Sequence, residues 1–100
     1  MIRTFSKVVA ALESEPGVTK GKMFGSEGLR IGTKIFAMEV AGKLVVKLSI
    51  ARAEQLRAAR RAEAFDPGHG RVMKQWVAVS RRSGLDWLAL ASEALHYVRG

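Results

Sequence analysis

Apolar positions at the start of the chain recur at helical spacing. Ile2, Phe5, Val8, Val9 and Leu12 fall on one stripe, which predicts a helix over residues 2–14. The stripe stops at Ser14-Glu15-Pro16-Gly17, because a proline disfavours the helical region for the residue before it. The pattern then changes to short apolar runs separated by glycines. Residues 22–48 read KMFGSEGLRIGTKIFAMEVAGKLVVKL, which predicts an antiparallel meander with strands at 18–24, 29–31, 34–40 and 43–48. Gly25-Ser26-Glu27-Gly28 is read as a loop and Ala41-Gly42 as a turn. Gly32-Thr33 has glycine first, which suits a two-residue type II′ turn.

Alternation of side chains along a strand assigns faces. Phe36, Met38 and Val40 share one side with Leu44, Val46 and Leu48, and these six are the expected core. Ile35, Ala37 and Glu39, with Lys43, Val45 and Lys47, form the opposite face, part apolar and part basic.

Ser49 suits the N-cap of a helix over 50–63. Its apolar positions are few (Ile50, Ala53, Leu56, Ala59), so the helix is expected at the surface. A short edge strand is expected near Ala64-Phe65, and Asp66-Pro67-Gly68-His69-Gly70 is a turn or loop. A last strand is expected over 72–80, with Met73, Val77 and Val79 on one face and Val72, Lys74, Trp76 and Ala78 on the other. Ser83, with Asp86 three residues on, reads as the cap of a final helix. Leu88, Ala91, Leu95 and Val98 are its stripe, with Leu85 and Trp87 beside it. Helices segregated from a run of antiparallel strands predict a two-layer α+β domain with the helices on one side of the sheet.

Lys22-Met23-Phe24-Gly25, then Gly28-Leu29, Ile35-Phe36-Ala37 and Gly42-Lys43-Leu44 through Lys47, resemble the N-terminal domain of the TfoX/Sxy family. Phe65-Asp66-Pro67, followed by a strand and a terminal helix, fits the same pattern, so the resemblance spans nearly the whole chain as a single-domain member (1–100). It implies the order α-β(3)-α-β(2)-α, a fold similar to type III secretion chaperones, and association as dimers. It also implies a link to competence regulation in bacteria, which belongs to longer, two-domain members.

Length and composition narrow the chemistry. The 100 residues amount to one domain, and 48% hydrophobic content argues for a folded core rather than disorder. No apolar run approaches the roughly 18–20 residues that span a bilayer. The first residues lack the pattern of a signal peptide, so a cytoplasmic location without membrane contact is expected. There is no cysteine, which removes disulfides, thiolate catalysis and cysteine-based metal sites. His69 and His96 stand apart without a carboxylate at ligand spacing, the serines form no Ser/His/Asp arrangement, and the acidic residues are scattered. Neither catalytic nor metal residues are assigned, no cofactor is expected, and the reading is non-enzymatic. The four-residue Lys22-Met23-Phe24-Gly25 run is read as structural: Met23 and Phe24 as core, Gly25 as a turn.

Net charge is +8, from 17 basic and 9 acidic residues, which favours attraction to nucleic acid. Arg57 and Arg61 share a helix face, and Lys43, Lys47, Lys74 and Trp76 share the outer sheet face with Ile35 and Val45. Two binding readings follow. Ile35, Val45 and Trp76 form an apolar patch covered by a second copy or another protein partner. Alternatively, Lys43, Lys47, Arg57, Arg60, Arg61 and Lys74 contact nucleic acid. A homodimeric interaction or regulatory module ranks first, nucleic-acid binding second, and a small-molecule enzyme last.

Overall fold

The computed structural model describes residues 1–23, 26–65 and 73–100, the side chain of Met23 excepted. Its elements are α1 (Phe5–Leu12), β1 (Val18–Met23), β2 (Ser26–Ile31), β3 (Lys34–Val40), β4 (Lys43–Lys47), α2 (Ile50–Ala58), β5 (Glu63–Phe65), β6 (Met73–Val79) and α3 (Trp87–Arg99). The strands form one antiparallel sheet in the order β1-β2-β3-β4-β6-β5. The fold is therefore α+β, as expected, and the meander has the four strands read from the apolar pattern rather than the three that the family resemblance implies. Ser26, Glu27 and Gly28 are strand rather than loop and pair with Met23, Lys22 and Gly21. Gly28 serves close approach: a Cβ there would lie 3.1 Å from the Ala37 carbonyl oxygen and 3.3 Å from the Met38 Cβ. Phe24, Gly25 and the whole 66–72 stretch, with His69 and Val72, lie outside the described residues.

The turns follow their sequence. Gly32 has φ 61° and is followed by a residue without positive φ, as a type II′ turn requires. At Ala41-Gly42 both φ values are positive, 52° and 76°, which is the type I′ pattern.

All three helices cover one face of the sheet. Phe5, Val8 and Leu12 of α1, Ala53 and Leu56 of α2, and Trp87, Leu90, Ala91 and Leu95 of α3 join Leu29, Phe36, Leu44, Val46, Val77 and Val79 in one core. Ser49 caps α2 by accepting from the Arg52 N–H. Asp86, not Ser83, caps α3: its Oδ1 accepts from the Leu88 N–H at 3.1 Å and the Ile2 N–H at 3.2 Å. The Trp87 N–H donates to the Ile2 carbonyl at 2.8 Å, which ties the N-terminal segment to the start of α3. Ser83 accepts from the Leu85 N–H, one turn too early to be the cap. No helix among the described residues is long and apolar enough to cross a membrane.

Strict alternation fails on β3. Leu29 pairs with Ala37 but Arg30 pairs with Ile35, which leaves Phe36 as an extra residue. This bulge turns Phe36 and Ala37, neighbours in sequence, to the same helix-side core and reverses the parity of everything after them. Met38 and Val40, expected under the helices, pair with Val45 and Lys43 on the opposite face. Ala37 and Glu39, expected outside, pair with Val46 and Leu44. A second register shift, between Ala64 and Phe65, sets Met73 opposite Phe65. Met73 therefore leaves the face of Val77 and Val79 and joins the helix-free side.

Candidate functional site: an apolar pocket on the helix-free face

The two register shifts gather a second apolar cluster on the side of the sheet away from the helices. Ile35, Met38, Val45, Phe65, Trp76 and Ala78 form it, with Val40 and Met73 against them, and no helix residue takes part. Ile35, Val45 and Trp76 do face this side, as their strand positions predict. They are not an open patch, however. Within the single chain Ile35 is 9% exposed, Val45 0% and Trp76 7%, so almost no apolar area at these three awaits a partner. The large hydrophobics that are exposed among the described residues, Met1, Ile50 and Tyr97, lie elsewhere in the chain.

This cluster walls a pocket of about 300 Å³. Ile35, Met38, Phe65, Met73 and Trp76 supply its apolar lining, and Thr33, Lys34 and Lys47 its polar lining. Lys47 is half-buried and sits directly opposite Trp76 across the β4–β6 pair. Lys34 is exposed at the start of β3. Both lysines also border a neighbouring cleft beside Gln75 and Tyr97, where Gln75 Nε2 donates to the Tyr97 hydroxyl at 2.5 Å. They therefore border both the apolar pocket and this cleft. No carboxylate is among the described lining residues. The volume is at the lower end of small-molecule sites, which are mostly apolar with a few placed polar groups.

The residues expected to contact nucleic acid do not converge on one surface. Lys43 Nζ binds both oxygens of Glu63 at 3.0 and 3.2 Å. Lys47 belongs to the apolar pocket. Arg57 Nη1 donates to the Lys74 carbonyl, which joins α2 to β6. Arg61 donates through Nε and Nη2 to the Ser83 carbonyl. Arg52 of α2, which ends before Arg60 and Arg61, is bound to Glu93 of α3 at 2.9 Å. Arg60 and Arg61 do come together, with Arg82, at a separate small cleft.

Lys22 is exposed on β1. The rest of the Lys22-Met23-Phe24-Gly25 motif falls outside the described side chains. Among the described residues no group of three or more His, Cys, Asp or Glu is placed to hold a metal ion, and His96 is exposed on α3. Sequence reasoning missed Thr33, Lys34, Met38, Phe65 and Met73 as lining residues. The apolar letters of Met38 and Met73 were visible, but the bulges that set their faces were not. In comparisons with known proteins, no family model, no curated protein and no solved structure matches the chain.

Proposed function

We propose that the chain is a non-enzymatic binding module, of the TfoX N-terminal kind, that holds a small apolar molecule bearing an acidic group on the helix-free face of its sheet. The observation that carries this reading is the pocket itself: an apolar lining of Ile35, Met38, Phe65, Met73 and Trp76 with Lys34 and Lys47 beside it. An apolar body enters the lining, and its acidic group meets the two ammonium groups beside it. The described lining offers a threonine hydroxyl and two lysines but no acid–base pair, which favours binding over turnover. A regulatory role follows naturally, since the ligand would bridge β3, β4, β5 and β6. Dimerisation, which the family resemblance implies, would need a surface other than Ile35, Val45 and Trp76.

Octanoate and 1-octanol, matched in chain length and different in charge, test the proposal. Trp76 fluorescence should report saturable binding of octanoate, and K34Q/K47Q should weaken octanoate while leaving octanol unchanged. Absence of saturable binding, or equal binding of the two in the parent chain, would sink the proposal. Light scattering across the micromolar range tests dimerisation separately: if a dimer forms through another surface, octanoate should leave it intact.

A further inference from the structure

The end of α2 carries an unusual arginine. Ala59 is the C-cap. The Arg61 N–H reaches back to the Leu56 carbonyl and the Arg60 N–H to the Arg57 carbonyl, both at 3.0 Å. This is the paired hydrogen-bond pattern of a Schellman motif, whose left-handed residue is most often glycine. Here that residue is Arg60, at φ 59°. A side chain in this conformation is strained, and glycine would relieve it.

This strained residue borders a cleft. Arg60, Arg61 and Arg82 line a cleft of about 170 Å³ with Ser80, Ser83 and Glu63. Arg61 is held there by its two bonds to the Ser83 carbonyl, at 3.3 and 3.2 Å, which leave Nη1 to donate elsewhere. Gly84, at φ 79°, makes room for it: a Cβ there would lie 3.0 Å from Arg61 Nη2. Glu63 is the one carboxylate among the described lining residues, and both its oxygens already accept from Lys43. The cleft is thus bordered by three permanently charged arginines and by a carboxylate that is engaged by another cation. It is too small for a drug-sized ligand and about right for a single oxyanion group.

We infer that the Arg60–Arg61–Arg82 cleft binds a phosphate group, and that Arg60 occupies its strained position in order to complete that site. Guanidinium donors match phosphate oxygens in pairs. The site is separate from the apolar pocket and does not depend on it.

Calorimetry at low ionic strength, with inorganic phosphate in one arm and a short single-stranded oligonucleotide in the other, tests the inference. Binding of phosphate that displaces the oligonucleotide identifies a backbone phosphate as the ligand; binding of phosphate alone identifies a free or small phosphorylated one. In either case R82Q and R60G should each weaken binding about tenfold or more, while K7Q, which removes a charge on α1, should not. R60G should also raise the melting temperature by a few degrees, because it relieves the left-handed residue. The inference is overturned if neither probe binds, if the arginine substitutions leave binding unchanged, or if R60G fails to stabilise the chain.

Discussion

Replacement of Val45 by threonine separates a sheet with two buried faces from one with a single core. Valine and threonine have nearly the same shape and both favour strands, so V45T leaves no cavity and little change in propensity. What changes is one methyl for one hydroxyl. Val45 is 0% exposed, and its cross-strand neighbours on that face are Met38 and Ala78, both apolar. The adjacent backbone groups are engaged in the β3–β4 and β4–β6 ladders. The hydroxyl therefore has no partner, and its burial should cost about 1–3 kcal/mol. For a domain of this size that is a fall in melting temperature of roughly 5–15 °C. V46T, on the helix side and also 0% exposed, should cost a similar amount. Thermal melts followed by far-ultraviolet circular dichroism decide the matter. A solvent-facing Val45 would change stability by less than about 0.5 kcal/mol. If V45T melts with the parent while V46T falls, the helix-free cluster is not a core and the pocket has lost its floor.

Three other substitutions test local features. A41N should raise stability by about 0.5–1 kcal/mol, because asparagine tolerates the positive φ of a type I′ turn better than alanine; an unchanged or lower urea midpoint would contradict that turn. G17A should destabilise by about 1–2 kcal/mol, since Gly17 has φ 82° and a Cβ there would meet Ile31 Cδ1 at 2.8 Å; the same urea titration measures it. E93Q should cost at most about 1 kcal/mol, because Arg52 and Glu93 are 35% and 39% exposed, and the loss should shrink in high salt; a salt-independent loss would mean that packing, not charge, is at stake.

The sequence disclosed the elements far better than the faces. The stripe of Phe5, Val8 and Leu12, the Ser49 cap and the glycine-first turn at Gly32 are local signals, each set by a few neighbouring residues. Faces depend on an unbroken count along a strand. One extra residue at Phe36 sends Met38 and Val40 to the other side of the sheet, and no letter in IFAMEV announces it. The pocket was legible only in fragments for the same reason. Ile35, Lys47 and Trp76 keep their expected side, whereas Met38 and Met73 arrive there through register shifts that long-range pairing imposes. Arg60 was visible as a charge, but its left-handed backbone follows from the way α2 ends, which alanine and arginine propensities do not specify.

The clasp between the two ends of the chain has a kinetic meaning. β1 to β4 join neighbours in sequence, so each hairpin closes only a short loop. The bonds of Ile2 to Asp86 and Trp87, by contrast, span 84 residues in the first case and one more in the second. Contacts of such long range are entropically the most expensive to close. The meander can therefore form before α1 docks, and α1 with the start of α3 should be the first part to open under native conditions. Amide exchange would register this as early loss of protection at Val8 and Val9, ahead of Val45 and Val46 in the centre of the sheet.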